Sequence, residues 1–433
     1  MKSILFFLLV FSIVSCSNNN EKEDGAGGWQ NLAKNAKTLG KERWQPMLSY
    51  VATLHKESTH PPVWPFELEW EEIGPGYVYG PAFGHWDIIH QVIDVMPYYP
   101  EHALKQLKNN VKNQEPWGLL PGSFWMPGAE WSSNDSATWS TSMQGHPPVW
   151  AFAVNDYVKR TGEDTVFRYF YTPLIRQIAW FENSRNAEGE GFYYNDILTK
   201  RWESGVDDGV RFDETDYGKW ACIDATSHAY YLYKTAAVWA DKLGMYDPLL
   251  EERRDELEKF IQTKLYAEDD GLFYDIWAIQ DTSLRTLAFE TIWPVVVGAA
   301  TEKQANILID EYLLDTNCFL TEHPIATVGK KDPKFELRMW RGPAWNSMTY
   351  WAARGCLNYG REDAARIILE KALDASAKQF KRTGTIWEFY HPLGGKPEQL
   401  MRKPNTDKNT PCHDYLGHNP LIAMARMYEM LTQ

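Results

Sequence analysis

Two stretches of this chain set carboxylates among aromatic rings, and both point to acid–base chemistry. The first is Trp202-Glu203-Ser204-Gly205-Val206-Asp207-Asp208-Gly209-Val210-Arg211-Phe212-Asp213, an acidic segment with glycines flanking a paired aspartate and an aromatic at each end. Glycines let such a backbone turn tightly, and rings beside a carboxyl strip water from it, so one acid of the stretch can stay protonated at neutral pH. A solvated Asp-Asp turn is the commoner use of such a pattern. The second stretch, Gly384-Thr385-Ile386-Trp387-Glu388-Phe389-Tyr390-His391-Pro392, sets a single glutamate among rings, where solvation gives no reason for it. Hydrolysis of a glycosidic bond needs one carboxylic acid to protonate the leaving oxygen and one carboxylate to act at the anomeric carbon. In inverting enzymes the two stand roughly 6.5 to 9.5 Å apart, with a water between.

The rest of the chain must supply a frame that brings two distant loops together. Its 433 residues, 44% hydrophobic and 24% charged, hold enough apolar material for one large core. The net charge of -14 and the lack of any basic run exclude nucleic acid as a partner. With 20 Trp and 23 Tyr, many beside Gly, Pro, Asp and Glu, the chain is rich in the side chains that stack on pyranose faces, although about half of them must fill the core.

The first residues read as an address. Lys2 precedes an apolar run, Ile4 to Val14, too short to span a bilayer, and Ile13-Val14-Ser15-Cys16 resembles a bacterial lipoprotein signal with Cys16 as the lipidated residue. We therefore expect residues 1–16 to be the signal, 17–28 a flexible tether containing Gly25, Gly27 and Gly28, and 29–433 one catalytic domain. The protein would be exported to the periplasm or outer membrane and touch the membrane only through its anchor. Cys222, Cys318, Cys356 and Cys412 are widely spaced without a CxxC, and His85, His146, His391, His413 and His418 lack metal-site spacing. No metal or other cofactor is expected.

Apolar residues recur at three- and four-residue spacing in about a dozen segments: Trp44 to Lys56, Trp86 to Val95, His102 to Asn113, Val149 to Thr161, Thr165 to Asn183, Ala225 to Leu243, Pro248 to Leu265, Ser283 to Ala299, Glu302 to Leu313, Pro343 to Tyr359, Arg361 to Gln379 and Pro420 to Leu431. Helices in paired succession, with no long alternating pattern to compete, predict an all-α toroid whose loops converge on a funnel. Gly, Pro and Trp concentrate in the connections Pro61 to Trp70, Gly74 to His85 and Glu115 to His146, the last long and aromatic enough to fold over a site.

With these residues in view the chain resembles glycoside hydrolase family 63 and the related trehalases of family 37. The resemblance rests on Ser204-Gly205-Val206-Asp207-Asp208 with Arg211, and on five further blocks in the same order: Gly84-His85-Trp86-Asp87, Gln144-Gly145-His146-Pro147-Pro148, Trp340-Arg341-Gly342-Pro343-Ala344-Trp345, Trp387-Glu388-Phe389-Tyr390 and Gly417-His418-Asn419-Pro420. It implies an (α/α)6 barrel and an inverting, exo-acting α-glycosidase that removes a terminal glucose or mannose. It also implies Asp207 as general acid, Glu388 as general base, and Trp86 with Asp87 as contacts to the terminal sugar. Asp208, next to the acid, would raise its pKa or merely solvate the turn. Gln144, Trp202, Trp340, Arg341 and Trp345 would line the pocket, though Trp340 to Trp345 equally suit the cap of a helix begun by Pro343. Glu203 and Asp213 would be paired with Arg201 or Arg211. The short segment between Cys16 and Trp44 leaves no room for the β domain many members carry, and the trehalase signature around the second acid is not reproduced. Both departures make the chain more similar to the compact bacterial enzymes acting on mannosylglycerate or glucosylglycerate. Two other classes share parts of the pattern. A lipid-anchored carbohydrate-binding protein would not need paired acids, and a polysaccharide lyase on an α/α toroid would need a Tyr or His base and more Lys and Arg.

Overall fold

The computed structural model describes residues 25–133, 136–139, 144–199, 202–214 and 218–433. The signal with Cys16, most of the expected tether and Arg201 lie outside the described residues. The helices are α1 (Gly25–Ala36), α2 (Gln45–Glu57), α3 (Asp87–Val95), α4 (Pro100–Lys112), α5 (Trp150–Thr161), α6 (Phe167–Ser184), α7 (Asp196–Thr199), α8 (Ile223–Lys242), α9 (Pro248–Lys264), α10 (Ile276–Gln280), α11 (Trp293–Val296), α12 (Glu302–Leu308), α13 (Asn346–Asn358), α14 (Glu362–Thr383) and α15 (Leu421–Met430).

They form an (α/α)6 toroid. The inner ring runs α3, α5, α8, α11, α13, α15 and back to α3, and every residue of α3 is buried. The α5–α8 seam of that ring is closed by Phe152 stacked on Tyr231 at 3.4 Å and by Trp239 Nε1 donating to Asn155 at 2.8 Å. α2, α4, α6, α9 and α14 pack around it, and α12 continues the outer layer through Gln304, which donates to the Gln262 carbonyl. Local chemistry sets the helix ends. Thr301 and Gln304 form a capping box, the Asp247 carboxylate accepts from Leu249 N, and α14 runs from Glu362 and Asp363 to Lys381 and Arg382, complementing its dipole. Among the described residues no helix is long and apolar enough to cross a membrane. Cys222, Cys318, Cys356 and Cys412 are buried free thiols.

Four sequence expectations are corrected. The tether does not extend to Gly28, because α1 begins at Gly25 and a Cβ on Gly28 would lie 2.2 Å from Tyr99 Cδ2, so that glycine serves close packing. The segment Ser283 to Ala299 is not one helix. Ala288 is extended and pairs with Val328, and only Trp293–Val296 coils as α-helix before Gly298 at φ +69°. The helical run Glu302 to Leu313 changes from α to π at Ile309. Pro343 does not begin a helix, since Ala344 bridges both Ala326 and Tyr390 and holds the chain extended up to Trp345.

All inner helices start at one end of the toroid, and the aromatic connections meet there. β1 (Thr59–His60) pairs with β2 (Trp70–Glu71), and β3 (Ala82–Gly84), β4 (Ser123–Trp125) and β5 (Thr138–Trp139) form an antiparallel sheet in which Ala82 faces Trp125 and Gly84 faces Ser123. A further short pair, β6 (Tyr266–Ala267) and β7 (Leu272–Phe273), lies beside α9. The β3–β4–β5 sheet ties the Gly74 to His85 connection to the Glu115 to His146 connection and places both over the cavity described next.

Candidate active site

At the N-terminal ends of the inner helices lies a cavity of ≈130 Å³. Trp86 and Asp87 reach it from the start of α3, His146 from just before α5, Trp345 from the start of α13, and His418 from just before α15. Asp207 and Glu388 both line it.

The acid loop is built backbone first. Gly205 has φ +76°, and a Cβ there would lie 1.6 Å from Trp86 Cζ3, so only glycine lets the loop lie against that ring. Ser204 N donates to Asp196 Oδ2 at 2.6 Å, Gly205 N to the Trp202 carbonyl at 3.0 Å, and Val206 N to Ser204 Oγ at 3.2 Å. Glu203 is buried on the far side, where Arg185 donates twice at 2.7 Å and Gly145 N at 3.1 Å. Its partner among the described residues is thus Arg185 at the end of α6 and not Arg211. Arg211 turns into the barrel wall and meets Asp224 and Asp275 at 2.7 Å and Glu290 at 2.9 Å. Asp213 pairs with Arg341.

Asp207 retains 32% of its side-chain surface, open to the cavity, and Lys403 Nζ stands 3.8 Å from its Oδ2. Burial raises the Asp207 pKa above the ordinary aspartate value, Lys403 and Arg402 oppose the rise, and the charges of Glu388 and Asp87 add to it. Glu388 is held the opposite way. It is 2% exposed, and its Oε2 accepts from Arg402 Nε at 2.7 Å and from Cys412 N at 3.0 Å. Arg402, 3% exposed at its side chain, gives that carboxylate a fixed cationic partner.

Asp87 accepts from the Tyr415 hydroxyl at 2.8 Å and lies 3.4 Å from His418 Nε2. Burial opposes its charge, but the hydrogen bonds from His418 and Tyr415 hold its pKa below the ordinary value. Trp86, Trp340 and Trp345 form a stacked wall, at 5.8 Å and 12° between the first two and 3.9 Å and 5° between the last two. Trp202 lines the cavity with its ring edge-on to His146 at 5.0 Å. Among the described residues the Trp86 indole N–H and His146 Nδ1 have no protein partner, so both remain for a polar ligand.

Three of the sequence candidates lie outside the lining. Asp208 is exposed, in the left-handed conformation at φ +60°, and is held by Arg338 at 2.8 Å and Arg341 at 3.2 Å. Arg341 also donates to the Asp208 carbonyl at 2.9 Å, so the two residues brace the turn behind Asp207. Asp208 does not appear among the charges that raise Asp207, which are Glu388 and Asp87. Gln144 is buried, its carbonyl accepting from Gly122 N at 3.3 Å. The lining also includes Tyr77, Tyr79, Trp125, Trp131, Arg402, Lys403 and Tyr415, which the sequence reading did not single out. The pair Arg402-Lys403 in an acidic chain and the aromatics before β3 were the available signals.

A metal-like donor group exists away from the cavity, where Cys222, Asp224 and Asp275 offer ligand atoms within 4.8 Å of one another. The Arg211 guanidinium already holds both carboxylates, and that cation takes the place a metal would fill.

The family described as "Mannosylglycerate hydrolase MGH1-like glycoside hydrolase domain" matches residues 81–405. The mannosylglycerate hydrolase of Rubrobacter radiotolerans is 20% identical over 406 residues, covering 76% of this chain and 90% of its own. The solved family 63 mannosylglycerate hydrolase of Thermus thermophilus in complex with glucose superposes with a TM-score of 0.67 at 18% identity, over 88% of this chain and 98% of that one. A neutral trehalase of Saccharomyces cerevisiae gives 0.55 at 13% identity over 81% and 72%. The structural likenesses establish the toroid. The family match spans three quarters of the sequence and includes the Asp207 and Glu388 loops, and on that ground the chain belongs to the mannosylglycerate hydrolase MGH1-like glycoside hydrolases of family 63 and is a glycoside hydrolase.

Proposed function

We propose that this glycoside hydrolase is an inverting, exo-acting α-glycosidase that removes a terminal α-linked glucose or mannose from a small glycoside. The observation that carries the proposal is one aromatic cavity with two carboxyl groups in opposite environments. Asp207, desolvated and, among the described residues, without a hydrogen-bonding partner that fixes its carboxyl, delivers a proton to the glycosidic oxygen. Glu388, held by Arg402 and Cys412 N, takes a proton from the water that attacks the anomeric carbon from the opposite face. The C–O bond to the leaving group breaks as the water oxygen bonds to the sugar. Asp87, fixed by Tyr415 and His418, accepts from hydroxyls of the terminal sugar, and the Trp86–Trp340–Trp345 wall packs against its apolar face.

The relatives are named for mannosylglycerate, whose aglycone bears a carboxylate. Lys403 and Arg402 at the cavity, with Lys408 4.8 Å over the Tyr79 ring, fit a substrate of that charge. The Ile13 to Cys16 motif further supports an exported, lipid-anchored enzyme of the periplasm or outer membrane.

A proton NMR time course with α-glucosides, α-mannosides and glycosylglycerates tests the reading. The β-anomer of the released sugar should appear first, with mannosylglycerate or glucosylglycerate among the cleaved compounds. Release of the α-anomer first would refute inversion. Binding of sugars without cleavage of any of them would favour a carbohydrate-binding role.

A further inference from the structure

The inner helices end at the far side of the toroid, and a second, larger cavity of ≈530 Å³ opens there. It lies beyond the C-terminal ends of α3, α5, α13 and α15, opposite the sugar site. Its walls are flexible and apolar: Leu357, Met427 and Met430, the last 65% exposed. Around them stand Lys159, Arg160 and Arg426. Among the described residues no acidic side chain pairs with any of the three. The Asp156 carboxylate in the same cavity is already paired with Arg354. Arg160 donates to the Pro97 carbonyl at 2.8 Å, and Arg426 lies 5.8 Å from the Tyr98 ring centroid. Basic residues in a last helical turn complement the helix dipole, which explains Lys159 or Arg160 taken singly. It does not explain three uncompensated cations around an apolar hollow in a chain with 58 acidic and 44 basic side chains.

The described N-terminus lies at this same end. Asn31 of α1 donates to the Tyr98 carbonyl at 2.8 Å, and the Trp29 ring packs edge-on to Tyr99 at 5.1 Å, one and two residues beyond the Pro97 that lines the cavity. The chain upstream of Gly25 therefore joins the fold beside the hollow. Residues 17–24 reach up to about 28 Å when extended, so a lipid on Cys16 would hold this end to a bilayer.

We infer that the base of the toroid docks on an anionic lipid surface, with a phospholipid phosphate among Lys159, Arg160 and Arg426 and its glycerol and first methylenes against Met427, Met430 and Leu357. Cationic side chains at a membrane attract anionic headgroups additively, and an apolar floor admits the carbon behind the phosphate. The catalytic mouth, at the other end of the inner helices, then points away from the membrane toward arriving glycosides. The docking stands on the cavity and its cations, and the Cys16 anchor is a separate proposal that the same experiment resolves.

The full chain is mixed with vesicles of phosphatidylcholine alone or of phosphatidylcholine with phosphatidylglycerol, pelleted, and its lysines acetylated and read by mass spectrometry. Lys159 should react several-fold more slowly on phosphatidylglycerol vesicles, while Lys403 at the mouth is unaffected. The double variant Arg160→Gln/Arg426→Gln should lose that composition dependence, with binding attributable to the headgroup falling about 30-fold for two cations and glycosidase activity unchanged. Equal reactivity of Lys159 on both vesicles, or protection of Lys403 in its place, overturns the docking. A chain that pellets with both vesicles while Lys159 stays reactive keeps the anchor and loses the docking. A chain that pellets only with phosphatidylglycerol and protects Lys159 keeps the docking and loses the anchor.

Discussion

The loop of Asp207 and the loop of Glu388 meet in one cavity and are held by opposite means. The Asp207 loop is fixed through its backbone: Gly205 against Trp86, Ser204 N on Asp196, and Arg341 on the Asp208 carbonyl. Its carboxyl has, among the described residues, one ion-pair partner, Lys403 at 3.8 Å. The Glu388 loop is fixed through the carboxylate itself, by Arg402 Nε and Cys412 N. Desolvation raises the pKa of the first carboxyl, whereas the second is bound by a buried guanidinium and a backbone N–H. That difference is what supports the proposed division into acid and base.

The strongest way to break the comparison is to neutralise each carboxyl in turn. Asp207→Asn and Glu388→Gln should each lower kcat on the order of 10³-fold or more, because each removes a proton-transfer group from the reaction. Activity within tenfold of the unaltered chain in either variant would remove that residue from the mechanism. The two variants should then part company in stability. Asp207→Asn puts a neutral amide of the same shape where burial already disfavours the charged carboxylate, so the melting temperature should hold. Glu388→Gln leaves Arg402 buried without its anion, and breaking such a pair costs about 3–5 kcal/mol. Equal melting temperatures for the two would contradict the contrast drawn here.

A smaller effect separates the loops by pH. Asp196, which accepts from Ser204 N, is pushed up to about 8 by its burial and by Glu203. Burial, opposed by Arg211, pushes Glu290 to about 7, and Glu71 with Asp94, against burial, hold His55 protonated up to about 9. Each folded value lies above its unfolded one, so each group contributes stability that is present at low pH and lost as pH rises through the folded value. The buried histidines His85, His146, His228 and His323, at about 3 to 4, are neutral in both states above pH 7 and drop out. The melting temperature should therefore fall between pH 7 and pH 9, and Asp196→Asn should reduce the fall by about 1 kcal/mol. A fall of unchanged size in that variant would show that Asp196 does not titrate there. Arg402, the support of the other loop, keeps its charge throughout this range.

Much of this arrangement was legible in the sequence. A carboxylate among rings marked the Glu388 loop, where solvation gave no reason for it, the Asp207 loop also fitted a solvated turn until the second stretch was set beside it, and helical spacing marked most of the twelve inner and outer helices. What was not legible depends on three-dimensional neighbours. Glu203 meets Arg185 because α6 ends beside the acid loop, whereas chain proximity favoured Arg201 and Arg211. Arg402 was not singled out, because only the fold brings it to the Glu388 carboxylate. Gly28 looked like flexible tether until Tyr99 filled the space its missing side chain leaves. In the segment Ser283 to Ala299 the apolar spacing is helical, but Ala288 answers to Val328 across a bridge and Glu290 to Arg211, and tertiary contacts override the local pattern.

The smallest expected effect concerns Lys403, which qualifies the statement that Asp207 lacks a fixed partner. Its ammonium lies 3.8 Å from Asp207 with 39% of its side chain exposed, close enough to favour the aspartate anion and exposed enough to be screened. Lys403→Met should therefore move the alkaline limb of the kcat/KM profile to higher pH, since the acid keeps its proton longer once the cation is gone. At the optimum the change should stay within about fivefold, the range expected for an ion pair of 0.2–1 kcal/mol. The acidic limb should not move. A shift of both limbs together would mean that Lys403 acts on the cavity as a whole and that the acid and base are coupled more tightly than their separate supports imply. A shift of the alkaline limb alone would isolate Asp207 as the acid whose charge is set by desolvation and by this one mobile cation.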